Sequence, residues 1–174
     1  MSPAGTTLNG SLVTLRPVRP EDVPELVRIR STPEVVRRWR GAEDVTAAVA
    51  GDLAEPGVET FVVEHAGKTA GAIQWTAETE PDYEHASIDI YLDPALHGRG
   101  LGTDAVRTLA RHLLVDRDHH RLVIDPAADN AAAIRCYAKV GFKPVGVMRL
   151  YERGIDGEWH DGLLMDLIAG ELIG

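Results

Sequence analysis

A single cysteine, Cys136, in a chain of 174 residues excludes an internal disulfide framework and a cysteine-built zinc site. Positive charge is also scarce. Eighteen Lys and Arg stand against 27 Asp and Glu, a net charge of −9, which argues against a nucleic-acid binder because such a protein needs a basic face to displace counterions. No apolar stretch approaches the roughly 20 residues of a membrane span, and the opening "MSPAGTTLNGS" has no apolar core of signal-peptide type. The seven histidines show no metal-ligand spacing, and the adjacent His119 and His120 point apart. Repeats, low-complexity tracts and linkers are missing too. The expectation is one soluble, cytoplasmic domain over residues 1–174, without metal, membrane or nucleic-acid partners. The acidic balance suits a cationic ligand, although solubility alone accounts for it more cheaply.

What is present is ordinary globular composition, 44% hydrophobic and 26% charged. "LVTLRPV" (12–18) alternates as a strand. Residues 19–31 carry helical spacing after Pro and acids, 32–39 a shorter helix with Pro33 near its start, and 45–54 a third helix candidate ended by "EPG". The period then changes. Residues 60–78 read as strand, tight turn at 66–68, strand. In "EHASIDIYLD" (84–93) alternation sets Ile88, Ile90 and Leu92 on one face and Asp89 and Tyr91 on the other. A helix over 100–115, a strand in "HRLVIDP", a helix stopped by Gly141, and strands in 143–153 and 156–170 complete the chain. This order predicts an α/β (α+β) mixed sheet with helices on both sides.

Gly98, Gly100 and Gly102 crowd the turn between the strand ending near Leu92 and the next helix. Backbone N–H groups and the positive end of a helix dipole converge there, which suits a phosphate or pyrophosphate, and glycine removes the Cβ atoms that would hold an anion away. A plain turn and helix cap would use the same residues. A P-loop is excluded, since Thr103 and Asp104 follow Gly102 where Lys and Ser/Thr should stand. A dinucleotide fingerprint is excluded by position, because this turn follows several antiparallel-looking strands.

"HGRGLG" (97–102) followed by "DNAAAIRCYAKVGF" (129–142) resembles the GNAT family of acetyl-CoA-dependent N-acetyltransferases. The family's Gln/Arg-x-x-Gly-x-Gly/Ala loop is answered by His97, Gly98, Arg99, Gly100, Leu101 and Gly102, with His97 departing at the first position. Its second pattern is met at Asn130, Ala133, Tyr137, Lys139, Gly141 and Phe142. The resemblance implies a GNAT fold: a mixed, mostly antiparallel central sheet whose strands 4 and 5 splay apart. It implies acetyl-CoA as co-substrate, its arm paired with backbone at Ile90, Tyr91 and Leu92. The pyrophosphate would lie on residues 97–102 and Thr103, with Asn130, Ala133 and Tyr137 also at the cofactor. Tyr137 would protonate the leaving thiolate. Cys136 has no legible His-Asp partner and is expected to be a packing residue rather than an acyl carrier.

A narrower similarity is to the aminoglycoside 6′-N-acetyltransferases, carried by "SIDIYLDP", "GRGLGTDAV", "IDPAADNAAAIRCYAKVGF" and "VRRWRG". It implies a polycationic acceptor, with Trp39 as a wall and Gln74, Asp82, Asp89 and Asp125 around the amine. Asp89 would be the general base, and Asp82 and Asp125 would bind ammonium groups. Two regions depart from that family: the segment before Asp89 is short, and the hairpin over 143–163 is long, bringing Trp159 and His160 toward the rim. Another amine (a siderophore precursor, a polyamine or a protein N-terminus) and an acyl-CoA-sensing module without catalysis stay open, as does the choice between monomer and homodimer.

Overall fold

The structure is a computed structural model that describes residues 5–174, so the first four residues of the polar start lie outside the described residues. Eight strands form one sheet: β1 (Leu8–Asn9), β2 (Thr14–Pro17), β3 (Val58–His65), β4 (Lys68–Glu78), β5 (His85–Leu92), β6 (Arg121–Ile124), β7 (Lys143–Arg153) and β8 (Trp159–Ile168). They lie in the order β1-β2-β3-β4-β5-β6-β8-β7. Every pairing is antiparallel except β5 with β6. The two-residue β1 adds one to the count, so the expected strands 4 and 5 are β5 and β6. At the β3–β4 turn Ala66 and Gly67 both have positive φ, 50° and 75°, the geometry of a tight hairpin.

Helices cover both faces, as the alternation of β5 requires. On one side Ile88 joins Phe61, Trp75 and Leu122 beneath α4 (Leu101–Arg111) and α5 (Ala131–Val140), which contribute Leu101, Leu109, Tyr137 and Val140. On the other, Tyr91 and Ala72 meet Leu26 and Ile29 of α1 (Val23–Arg30), Val35 of α2 (Pro33–Val36) and Val49 of α3 (Val45–Ala54). Leu101, Leu109, Leu122 and Ile88 are almost wholly buried, each worth about 1.5–3 kcal/mol in transferred apolar surface.

The helix expected over 32–39 closes at Val36. Tertiary contacts take over from there. Trp39 turns in to meet the Tyr91 ring edge-on at 4.8 Å, the buried Arg30 guanidinium lies over both rings, and Arg30 Nη2 donates to the carbonyl of Arg40. A continuing helix would have used that carbonyl itself and carried Trp39 around with the turn.

Asp104, only 5% exposed in the first turn of α4, ties down the chain start. Its carboxylate accepts the backbone N–H groups of Ser11, Leu12 and Val13 at 3.1, 2.7 and 3.0 Å. Hydrogen bonds to a charged group are worth about 1.5–3 kcal/mol each, and Asp104→Ala leaves three donors with no acceptor. The expected cost is about 3 kcal/mol, which for a chain of this size lowers Tm by roughly 6–12 °C. A melting curve within about 2 °C of the parent's would refute this role.

Candidate active site

The site begins where β5 and β6 separate. They pair only at Ala86 with Leu122 and Ser87 with Val123, while β5 runs on to Leu92 against β4 alone. The cause lies past Ile124. Leu163 N–H donates to Pro126 O at 2.8 Å and Ala128 N–H to Asp161 O at 2.9 Å, so the chain after β6 follows β8 and leaves β5. On the β4 side Asp93 N–H donates to Ala70 O. By the alternation of an antiparallel ladder, the backbone groups of Ile90 and Leu92 therefore face the gap.

The glycine turn lies at the end of that open edge. Gly98 and Gly100 have φ of 76° and 80°, a left-handed conformation natural to glycine. Gly100 is the N-cap of α4, and the first helical bond runs from Asp104 N–H back to Gly100 O at 3.1 Å. The N–H groups of the turn before it thus have no carbonyl of the helix to meet. A Cβ built on Gly98 would have nothing within 4 Å. Open backbone, free donors and a dipole end suit a pyrophosphate, and the unpaired β5 edge suits an amide-bearing arm. The residues present fit acetyl-CoA.

His97, the departing residue, does not extend toward the turn's donors. Its Nε2 lies 3.2 Å from Leu92 O, at the mouth of the gap. Arg99 is exposed. Asn130 is the N-cap of α5, where its Oδ1 accepts Ala133 N–H at 3.3 Å. Two helical turns on, Tyr137 is buried beside Phe142, ring centroids 6.4 Å apart. Burial, and after it the nearby Cys136, Asp89 and Asp125, push the Tyr137 phenol well above its ordinary value, so it keeps its proton. Cys136 is half-buried with Sγ 3.2 Å from Thr103 Oγ1. Burial pushes its thiol up, the opposite of what a nucleophilic cysteine needs.

Asp89 stands on the other face of β5, directly opposite Gln74 of β4. Solvent reaches it, yet enough protein lies around it to disfavour its charged form. Its carboxyl is pushed up to about 6, first by burial and then by Asp125, with Glu152 and Asp52 adding in the same direction and Arg40 opposing. Four acids thus share one field with a single guanidinium set against them in that balance. Asp125, just past β6, accepts the phenol of Tyr151 at 2.6 Å. Trp39 lines the same side through Tyr91, and its Nε1 lies 3.4 Å from Asp52 Oδ2.

Asp82 is the exception. The expected grouping with Asp89 is not made: Asp82 precedes β5 and lines a separate depression with Glu84, His85, His120 and Arg121. His85 and Asp89 alone are about 13 Å apart along an extended strand, so seven residues of sequence become two ends of β5. Trp159 and His160 line a depression with Ala128, Asp129 and Asp161, and His160 pairs across the hairpin with Glu152. Arg40, Asp52, Tyr151 and Glu152 are members of the Asp89 neighbourhood that the sequence did not reveal. Among the described residues no three His, Cys, Asp or Glu side chains gather as a metal site, and no helix is long and apolar enough to cross a membrane.

Known proteins match this chain in sequence and fold. The family model for the acetyltransferase (GNAT) domain matches residues 13–143. The chain is 30% identical over 161 residues to the aminoglycoside N(6′)-acetyltransferase type 1 of Klebsiella pneumoniae, covering 82% of this chain and 79% of that one. It is 25% identical over 158 residues to the spermidine N(1)-acetyltransferase of Escherichia coli strain K12, covering 88% and 84%. The solved structure of AAC(6′)-Ib in complex with paromomycin and acetyl-CoA superposes with a TM-score of 0.74 at 28% identity, covering 91% of this chain and 94% of that one.

Proposed function

The chain belongs to the GNAT acetyltransferase family, and from that premise we propose that it moves the acetyl group of acetyl-CoA to the 6′-amine of an aminoglycoside by direct transfer in a ternary complex. The observation that carries the acceptor half is the set of acids around Asp89, with Asp125, Glu152 and Asp52 in one field. A cluster of that sign favours an acceptor with several ammonium groups over a neutral or anionic one.

Acetyl-CoA, when bound, supplies an activated thioester carbonyl. Residues 98–103 would hold the pyrophosphate and Asn130 the arm. The backbone N–H groups on the open edge of β5 would donate to the carbonyl oxygen and stabilise the charge that gathers there. Asp125, together with the acids near it, draws the acceptor in as a cation. Asp89, ionised above about pH 6, takes a proton from the ammonium and leaves a neutral amine with a lone pair. As the neutral amine forms its bond to the acetyl carbon and the carbon–sulfur bond breaks, Tyr137 would give its proton to the departing sulfur, and the second proton shed by the nitrogen would restore it. Cys136 takes no part.

A polyamine is the second candidate. The same acids would accept it, and the spermidine N(1)-acetyltransferase relative favours that alternative. Thiol release from acetyl-CoA separates them. Kanamycin-class compounds with a 6′-amine should be acetylated, while analogues with a 6′-hydroxyl should release no thiol above background. A larger kcat/KM on spermidine than on any 6′-amine compound would overturn the aminoglycoside assignment and leave the acid-lined site standing.

A further inference from the structure

The hairpin of β7 and β8 is irregular at one place. Met148 pairs with Gly162 and Glu152 with His160, so Arg149, Leu150 and Tyr151 together face Asp161 alone. Leu150 has φ of 50°, a left-handed conformation that a branched L-residue avoids unless its surroundings impose it. Here Asp161 imposes it by accepting Leu150 N–H at 2.8 Å. The bulge turns Tyr151 across β8. A Cβ on Gly162 would come within 2.9 Å of the Tyr151 ring, so only glycine lets the ring lie there. The phenol then reaches Asp125 Oδ2 at 2.6 Å.

We propose that this bulge is a specificity element of the acceptor site, with Tyr151 as the positioning residue that holds Asp125 toward the amine. The inference rests on the assignment of Asp125 as an ammonium ligand. Asp125 follows the last residue of β6, beyond the point where β5 pairs with that strand, and its carboxylate takes the Tyr151 phenol as partner. The Tyr151 phenol occupies Oδ2 and leaves Oδ1 for the incoming ammonium, so the carboxylate meets the cation in one orientation rather than several. The two tyrosines near Asp89 then have separate tasks. Tyr137 is buried under α5 on the leaving-group side. Tyr151 is about half exposed and comes from the rim, so it is a residue that the acceptor must pass.

Bulges re-aim side chains at binding sites, and the strain at Leu150 argues that this one is imposed for a purpose. A tyrosine that only covered surface would need neither the left-handed leucine nor the glycine beneath its ring.

Steady-state kinetics with the amine that gives the highest turnover, aminoglycoside or spermidine, tests the proposal. Tyr151→Phe should raise KM for the amine about tenfold, the worth of one hydrogen bond to a charged group. It should leave kcat within about twofold and KM for acetyl-CoA unchanged, with Tm at most about 6 °C lower for the one hydrogen bond lost. Asp161→Ala, which frees Leu150 N–H, should raise the amine KM in the same direction. Asp161→Asn, which keeps an acceptor oxygen, should restore it. An unchanged amine KM in Tyr151→Phe beside a raised one in Asp125→Asn overturns the role of Tyr151 and leaves the acceptor assignment intact. An amine KM unmoved in Asp125→Asn overturns both. A rise in KM for acetyl-CoA together with that for the amine shows a general structural effect and also overturns the proposal.

Discussion

Asp89→Asn should lower turnover by about 10²–10⁴, the range that a positioned general base contributes, while acetyl-CoA binds as before. Asn is close in size and stays opposite Gln74, so the site keeps its shape and only the proton acceptor is lost. The pH dependence gives a sharper check. Burial and the neighbouring acids hold the Asp89 carboxyl at about 6 against its ordinary 3.8. Below about pH 6 it is protonated and cannot accept a proton. Parent kcat/KM should therefore rise through pH 6, and this limb should vanish in Asp89→Asn. Stability moves the opposite way. The folded state holds the Asp89 proton more tightly than the unfolded chain does, so stability falls as pH rises from about 4 to 6 and stays reduced above. Asp89→Asn should thus melt higher than the parent at pH 8 and level with it near pH 3.5. Turnover within twofold of the parent, or an acid limb that persists near pH 6, would remove Asp89 from the role of base.

Such a residue was legible because strands carry a period of two. Alternation in "SIDIYLD" sets Asp89 against the Ile88 and Ile90 face, and those isoleucines do pack beneath α4 and α5. The glycine turn was legible for a related reason: a left-handed backbone needs glycine, and Gly98 and Gly100 both adopt it. Asn130 and Tyr137 stand seven apart, two turns of one helix, so their shared edge followed once the helix was recognised.

Where local pattern breaks, the sequence becomes silent. The Asp82–Asp89 spacing suggests a pair, but the turn before β5 uses up the first residues and the strand separates the rest. Residues 143–153 look like a plain strand, while the bulge at Leu150 shifts the alternation and re-aims Tyr151. Trp39 was expected on a helix. Arg30, which draws the chain off its helical course by taking the Arg40 carbonyl, carries no local signal. Asp104 reads as an ordinary acid at a helix start, and its three backbone donors come from more than 90 residues away. Apart from the Asp82–Asp89 spacing, which is undone by the local turn, these misses depend on partners outside the element concerned, which periodicity cannot encode.

Replacing Gly100 tests the other half of the site. Its φ of 80° costs an alanine about 1–2 kcal/mol and a β-branched residue more. The obstacle is not one of space, because a Cβ there would meet only Leu12 Cδ1 at 3.6 Å. In the free protein a valine at this position can relax toward negative φ, which swings the N–H groups of the turn away from a common point. Binding the pyrophosphate must then restore the strained conformation, so the strain is charged against affinity. At 1.4 kcal/mol per tenfold, Gly100→Ala should weaken acetyl-CoA about tenfold and Gly100→Val at least about thirtyfold, measured by calorimetric titration. Desulfo-CoA, which keeps the pyrophosphate, should weaken in parallel, because the defect lies at the phosphates and not at the thioester. The amine KM at saturating acetyl-CoA should stay near that of the parent, since the acceptor acids sit on the opposite face of β5. A far-ultraviolet spectrum matching the parent's separates this loss from unfolding of α4. If Gly100→Val remains folded and binds acetyl-CoA as tightly as the parent does, the turn is a simple helix cap and the pyrophosphate is held elsewhere.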